Sequence, residues 1–450
     1  MIFSSRKFWK PDHSNKNKRD HRYALNTSWG RSLKRLILRM FAIGDRMALR
    51  VRGFTLIELL VAMLIATLII STMLAFTVNI MESDRREQAK VESQGEVQAA
   101  LDYISDDLQE AVYIYNSDGL ERTSTQTPPG ISDQIPSSPT YPAFANSTPV
   151  LAFWKRIYYT PTSSVDVGGG STKVAGCLEY GTSTTETGCY DTSVPPKPIG
   201  SGRYTYSLVV YYLINDNPTG TNPVWSSAAR IGRWEVKDGI RSSCQLGTDA
   251  TTVSPTCTEP KPISPRIAIT ATSSVNYWVL PDPGFKPFDA QGADVATVMN
   301  SWTKIVGTPY DLVKTPLTTL LDLVDDTPFV AGQDDGTATN PPFKIAIGPN
   351  TTVAGSTTNA NCADPIVGVG GSSIQSAQRI PSAFTVGQPS SFYVCVNSTQ
   401  TVARIYLRGN AFARLRPNQT QTQRPITAQN STFLSTGSVR AYGRGKLFFQ

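Results

Sequence analysis

Gly53-Phe54-Thr55-Leu56-Ile57-Glu58-Leu59-Leu60 opens an apolar run that continues to Met81. From Phe54 to Met81 there are 28 residues, and Glu58 is the single charge among them. As a helix at about 1.5 Å per residue, such a run is roughly 42 Å long, enough to cross a bilayer core of about 30 Å. An ordinary secretory signal has a shorter apolar core, with a small-residue cleavage site behind it. Here the small residue, Gly53, stands in front of the run. A cut after Gly53 therefore leaves the run on the mature chain, with Phe54 as the new N-terminus.

Glu58 is the anomaly in this stretch. A carboxylate in hydrocarbon costs several kcal/mol unless it is paired. Counted from the cut it is residue 58 − 53 = 5 of the mature chain. The α-amino group created at Phe54 is a cation, and that of a neighbouring subunit can reach it. An unpaired acid then drives a subunit to find a partner amine, which registers the assembly. The plainer alternative is an acid near a helix start, favoured there by the helix dipole.

Downstream, no proline interrupts Glu82 to Tyr115. Val97, Leu101, Ile104, Leu108, Val112 and Tyr115 follow at spacings of three and four, which predicts an amphipathic helix. Glu96, Asp102, Asp106, Asp107 and Glu110 fall between them and read as its solvated face. Asn116-Ser117-Asp118-Gly119 reads as the stop, and Gly95 as a soft point.

Residues 119–148 are rich in Ser, Thr and Pro and read as a loop. From 149 to 450 short β-prone runs alternate with turn clusters. They are Val150 to Trp154, Tyr204 to Ile214, Ile231 to Val236, Ile267 to Ile269, Val275 to Leu280, Phe343 to Ile347, Phe392 to Val396, Ala403 to Leu407 and Lys446 to Phe449. Helical stretches are expected near Ala293–Ile305 and Leu317–Leu323. The fold class is α+β: a long N-terminal helix, transmembrane and then amphipathic, packed on an antiparallel β-rich head. The organisation is 1–53 basic leader, 54–81 membrane and filament helix, 82–118 the amphipathic half of that helix, 119–148 loop, and 149–450 head.

The formal charge of +7 hides a division at Gly53. Residues 1–53 carry fourteen Lys/Arg and three Asp, a net of +11. The remainder carries 28 Lys/Arg against 32 Asp/Glu, a net of −4. The basic block, with Arg50 and Arg52 at its end, holds the leader in the cytoplasm. It is no footprint of nucleic-acid binding. Met47 to Gly53 suffices as a leader, so the start is read at Met40 or Met47, with an extended leader from Met1 as the rival reading. Both histidines, His13 and His21, lie in the leader. Without them the mature chain has no Ser-His-Asp, Cys-His or His-zinc chemistry.

Six cysteines without a CxxC indicate disulfides in an oxidising compartment. Fifteen pairings exist. Local pairing gives Cys177–Cys189, Cys244–Cys257 and Cys362–Cys395, with free buried thiols as the alternative. Asp322, Asp325, Asp326, Asp334 and Asp335 form an acidic cluster without EF-hand spacing. It reads as solvated loop acids, with calcium binding the other reading. Tyr158-Tyr159 and Tyr211-Tyr212 read as core aromatics, with a sugar-stacking face the alternative. Gly168-Gly169-Gly170 lacks a following Gly-Lys-Ser/Thr and reads as a linker, not a phosphate loop. No catalytic, cofactor or metal site is expected, so the chain reads as structural; a carbohydrate-active enzyme using two carboxylates is the remote alternative.

Arg52-Gly53-Phe54-Thr55-Leu56-Ile57-Glu58-Leu59-Leu60 resembles the N-terminal signal of type IV pilins and type II secretion pseudopilins. The resemblance implies that a prepilin peptidase cuts after Gly53 and N-methylates Phe54. It makes Glu58, with Thr55 beside it, the filament-assembly residues. It also implies a single pass of the inner membrane, a cytoplasmic leader, a periplasmic or extracellular head, and a pilus-like fibre built with other pilins or pseudopilins. Major pilins commonly have a helix-kinking proline about twenty residues into the mature chain, and this run has none. With a mature length of 450 − 53 = 397 residues, that departure favours a minor pseudopilin. The segments Asp84 to Lys90, Glu96 to Ile104, Asp107 to Tyr115 and Pro149 to Arg156 resemble the C-type minor pseudopilin of the cyanobacterial hormogonium polysaccharide secretion system. That resemblance implies gliding motility and polysaccharide export. A J-type minor pseudopilin of type II secretion and a tip adhesin that binds polysaccharide are the alternatives.

Overall fold

A computed structural model describes residues 55–168, 171–178, 189–193, 195–216, 224–241, 263–268, 274–287, 295–329, 361–362, 377–382, 384, 387–399, 401–427 and 430–444. The chain divides into two compact units, Met1–Val78 and Asn79–Gln450. Helix α1 (Leu56–Gln109) contributes to both. It is followed by β1 (Ala111–Ile114), α2 (Ser117–Glu121), β2 (Ser147–Tyr159), β3 (Ser164–Gly168), β4 (Ser171–Val174), β5 (Arg203–Ile214), β6 (Ala229–Lys237), β7 (Ile240–Arg241), β8 (Ile263–Ala268) and β9 (Ser274–Val279). Then come α3 (Val295–Asn300), β10 (Thr318–Val324), β11 (Asn361–Cys362), β12 (Ala377–Ile380), β13 (Phe392–Asn397), β14 (Val402–Asn410), α4 (Ala411–Leu415) and β15 (Leu434–Tyr442).

The first unit holds the apolar start of α1. The second is built on a ten-stranded sheet of order β1-β2-β5-β6-β10-β14-β13-β12-β11, with β15 paired to β14. Its strand pairs are antiparallel. Two small sheets, β3-β4 and β7-β9-β8, stand apart from it. This is the expected α+β class.

In the second unit α1 buries Ala89, Ser93, Val97, Ala100, Leu101, Ile104 and Leu108. Their spacing is that of one helical face. Each large apolar side chain in that stripe contributes roughly 1.5–3 kcal/mol on burial. The helix sits close because two strand residues opposite it are glycines. A Cβ on Gly409 would stand 2.7 Å from Val97 Cγ2, and one on Gly437 would stand 2.6 Å from Leu101 Cδ1. The hydroxyls of Ser93 and Ser435 close the contact at 2.8 Å.

The helical stripe continues on paper to Tyr115, but α1 ends at Gln109 and Ala111–Ile114 becomes a strand on β2. All four residues of β1 are buried. A helix with one covered face cannot bury Val112, Tyr113 and Ile114 together, whereas a strand covered on both sides can. The run Leu317–Leu323 is likewise no helix. Thr318, Thr319 and Leu321 pair with Arg233, Gly232 and Ile231 of β6, and Val324 pairs with Gly409 of β14. A short apolar run is ambiguous by period alone, and here the edges of two neighbouring strands decide it. The helix expected near Ala293–Ile305 is present as Val295–Asn300. Strands β12 and β15 carry no strong apolar alternation and were not legible. The runs Phe343 to Ile347 and Lys446 to Phe449, and Ile269, lie outside the described residues.

Residues 122–146, 282–287 and 301–315 have little regular structure, yet with α3 they form a layer. Phe153, Tyr211 and Arg233 face α1, whereas Trp154, Tyr212 and Trp234 point to the other side of the sheet. There Phe144 packs on Tyr212 at 4.9 Å, Trp302 on Trp154 at 5.3 Å and Tyr310 on Trp234 at 4.8 Å between ring centroids. The Trp154 indole donates to the Tyr115 hydroxyl at 2.8 Å, and that hydroxyl donates to the Met299 carbonyl at 2.7 Å. Strands β2, β5 and β6 are thus covered on both faces, which explains their near-continuous apolar runs.

Overpacking at the glycine contact tests the seat of α1. Gly409→Val destabilises the second unit by about 1–3 kcal/mol. It also speeds amide exchange across residues 97–104. Both are measurable by thermal melting and hydrogen exchange on the detergent-solubilised chain.

Candidate functional site: the assembly helix and its seat in the head

In the first unit, α1 begins behind Thr55. The Glu58 amide donates to the Thr55 carbonyl at 3.0 Å and to its hydroxyl oxygen at 3.4 Å. The Thr55 hydroxyl donates in turn to the Glu58 carboxylate at 3.4 Å. Thr-x-x-Glu is the residue pattern of a capping box. Every residue from Thr55 to Gln88 is exposed. Within that stretch lies an 18-residue window of mean hydropathy 2.6, none of it buried. Water does not tolerate an apolar surface of that extent, so lipid or other helices must cover it.

The hydroxyls of this span are already satisfied. Thr67 donates to Leu64 O, Ser71 to Leu68 O, Thr72 to Ile69 O and Thr77 to Met73 O, at 2.8–3.0 Å. Such bonds let a hydroxyl sit in hydrocarbon without a partner from outside. Glu58 differs: among the described residues its carboxylate takes only the long 3.4 Å contact from Thr55. Gly53 and Phe54 lie outside the described residues.

In the second unit, the decisive polar group is Asp107, placed by sequence on the solvated face. Its side chain is 7% exposed. It accepts from Lys155 Nζ at 2.9 Å, the Tyr211 hydroxyl at 2.8 Å and Arg233 Nε at 2.8 Å. Glu235 joins through Arg233 at 2.8 Å. Burial alone pushes the Asp107 carboxyl up, but Arg233 and Lys155 outweigh it and hold it below the usual aspartate value. Glu235 is held low in the same way, against its own burial. Glu96 is exposed as read and forms an ion pair with Arg414. Asp102, Asp106 and Glu110 are exposed as read. Nothing in the sequence marked Asp107 out from these neighbours, since its partners come from three strands far along the chain.

The three described members of the acidic cluster, Asp322, Asp325 and Asp326, are not solvated loop acids. Asp325 pairs with Arg408 at 2.6 Å, and Asp326 takes a two-pronged contact from Arg424 at 2.9 and 2.7 Å. Asp322 accepts from the Ser226 amide and hydroxyl. Both Asp325 and Asp326 are buried. Buried carboxylates require such partners, and these arginines lie some 80 to 100 residues downstream. Asp334 and Asp335 lie outside the described residues. Among the described residues no group of three or more His, Cys, Asp or Glu could hold a metal.

Tyr211 and Tyr212 are core residues, bonded to Asp107 and to the Pro136 carbonyl. Tyr158 is exposed and lies 4.6 Å from the ring of Tyr204. Cys177 and Cys189 form a disulfide, with their Cα atoms 5.4 Å apart. Cys395 is disulfide-bonded too. The Cys362 side chain and the pair Cys244 and Cys257 lie outside the described residues.

The family model of the prokaryotic N-terminal methylation motif matches residues 49–74. Comparisons with curated proteins and with solved structures gave no match. The matched segment covers Gly53, Phe54, Thr55 and Glu58 and the first part of α1. It supports a place in the type IV pilin and pseudopilin superfamily, and with it a membrane-anchored structural subunit that assembles with other pilins after prepilin peptidase processing.

Asp107→Asn leaves Lys155 and Arg233 without their shared anion in a buried setting. A loss of about 3–5 kcal/mol in the second unit is expected, read by denaturant unfolding. The depressed carboxyl contributes stability fully above the unfolded aspartate value. That contribution is lost as pH falls through the lower folded value, so the wild-type chain weakens below about pH 3.8. The Asn variant shows a flatter stability profile across that range.

Proposed function

We propose that this chain is a minor pseudopilin, a structural subunit of a type IV pilus-like machine for polysaccharide secretion and gliding motility. The observation that carries the reading is the fully exposed apolar start of α1, directly behind the methylation motif. Prepilin peptidase cuts after Gly53 and methylates Phe54. Subunits then stack through the 54–81 helices, with Glu58 on the amino group of a neighbouring subunit and Thr55 beside it. A head of this size sits at or near the tip of a short fibre. The leader is cytoplasmic, the helix crosses the inner membrane once, and the head lies in an oxidising compartment. The Cys177–Cys189 bridge agrees with that placement. The role is structural rather than enzymatic.

The rival system is type II protein secretion, where a J-type minor pseudopilin has a similar size and a long helix. Neighbouring genes for glycosyltransferases favour polysaccharide export, and those for a secretin and its ATPase favour the rival.

Two outcomes are expected. Intact-mass measurement of the mature protein gives a chain beginning at Phe54 with one added methyl group. Glu58→Ala removes the chain from the sheared fibre fraction while the thermal melt of its head stays unchanged. Normal incorporation of that variant would overturn the assembly role of Glu58.

A further inference from the structure

One cleft among the described residues is rimmed by polar side chains that the fold leaves unused. Asn146 stands just before β2 and Asn215 just after β5. The backbone N–H of Asn215 donates to the Asn146 carbonyl at 3.0 Å, which ties the two positions together. With Thr148 on β2 and Gln388 ahead of β13, their side chains rim a cleft of about 50 Å³. Thr148 is opposite Leu213 on the β2–β5 ladder, so the cleft lies over a sheet face at the strand ends. Val150 and Leu213 are buried at its floor, and Phe384 and Pro389 close one side.

The walls are fixed without help from the rim. The Phe329 N–H donates to the Gln388 carbonyl at 2.7 Å, and the Gly387 N–H donates to the Phe329 carbonyl at 3.0 Å. The Arg379 guanidinium lies over the Phe384 ring at 4.4 Å and donates to the carbonyls of Pro381 and Ser382. Asn146 has a φ of 51°, a left-handed conformation that Asn adopts more readily than most residues. The side chains of Asn146, Thr148, Asn215 and Gln388 take part in none of these bonds. Among the described residues none of the four has a hydrogen-bond partner. A rim held in place by its backbone, with its side chains unspent, costs little to order around a ligand.

The lining selects the ligand's chemistry. No charged side chain lines the cleft, so an anion or a cation would find no counter-charge there. Each amide and the hydroxyl can both donate and accept. At roughly 10–15 Å³ per water, the cleft holds about three to five waters. A ligand that displaces ordered waters gains only when its own groups reproduce their hydrogen bonds. Sugar hydroxyls do this, because each donates and accepts as water does. The C–H face of a sugar ring suits the apolar floor of Val150 and Leu213. An extended peptide would instead dock along a sheet edge, and this cleft lies over a face. Its small volume fits one residue of a longer chain running across the surface.

We propose that this cleft binds one residue of a neutral polysaccharide. Asn146, Asn215, Gln388 and Thr148 take its hydroxyls, and Val150 and Leu213 take its apolar face. This names the cargo class for the export reading above and rests on it.

The test uses the full chain in a polyoxyethylene detergent, since a sugar-headed one would compete. Dextran, a mixed-linkage β-glucan and a galactomannan are the neutral glycans. Polygalacturonate is the acidic glycan, and an uncharged glycine–serine polypeptide is the polymer without sugar rings. Binding to at least one neutral glycan is expected, equal at low and high salt because no charge is paired. Asn215→Ala and Gln388→Ala each lower that affinity roughly threefold to tenfold, the scale of one hydrogen bond. Thr148→Val and Asn146→Gly weaken it as well, the glycine keeping the left-handed backbone. Thr436→Ala, at an exposed position on β15, leaves it unchanged. Thermal melts identify any misfolded variant, in which case Gln388→Ala, at an exposed position, carries the test. Binding to none of the neutral glycans overturns the proposal, as does equal or tighter binding to polygalacturonate or the polypeptide. Full affinity in the folded Asn215→Ala and Gln388→Ala variants overturns it too. Loss of fibre assembly in those variants has the same force, since the rim is then a subunit contact. Glu58→Ala separates the two readings. If it assembles normally, the pseudopilin reading fails while the glycan result stands.

Discussion

The Asp107 carboxylate takes hydrogen bonds from three neighbouring strands at once: Lys155 on β2, Tyr211 on β5 and Arg233 on β6. It lies in the last turns of α1, beside the buried Ile104 and Leu108. Apolar packing alone is non-directional and would let a helix slide or rotate on a sheet. A buried anion with three fixed donors does not. Displacing α1 by one residue would leave two cations and a phenol facing apolar surface, at the cost of uncompensated buried charge. The glycines opposite Val97 and Leu101 act in the same sense, because only there can the helix come close.

The same device recurs further along the sheet, at its central strands β10 and β14. Asp325 and Asp326 follow β10 directly and pair with Arg408 and Arg424. Together with Asp107 and Arg233 these pairs join segments far apart in sequence. Buried ion pairs add little net stability compared with apolar residues of like size, but leaving one partner alone is costly. Their effect is therefore to exclude other registers. That matters in a sheet whose strand order runs well away from chain order and whose second face is covered by irregular chain.

The two units meet different solvents. In the second, α1 is amphipathic and its stripe is spent on the sheet. In the first, the same helix is apolar on every side and exposed on every side. The hydroxyls of Thr67, Ser71, Thr72 and Thr77 turn back onto carbonyls of the preceding turn, whereas the Glu58 carboxylate has the long Thr55 contact and capacity for an external partner. On the proposed reading, this carboxylate at the start of an apolar helix is what joins like subunits.

The apolar span, the motif at Gly53 to Glu58, the first stripe of the amphipathic helix and most of the long strands were legible in the sequence. Each rests on a local period or on a short contiguous pattern, and local steric and solvation rules act on neighbours in the chain. The end of α1 at Gln109, the strand at Thr318–Val324 and the burial of Asp107, Asp325 and Asp326 were not legible. Val112 to Tyr115 fit a helix stripe as well as a strand, and an aspartate between stripe positions looks solvated until its cations are known. Those cations come from Lys155, Arg233, Arg408 and Arg424, at separations that no local pattern encodes. The sequence by itself determined that this chain carries an apolar helix, long enough to cross a membrane, behind an N-terminal methylation motif and with one acid near its start. Tertiary structure alone decided which acids are buried and which strands they tie together, because desolvation is a property of the assembled core and not of any residue in it.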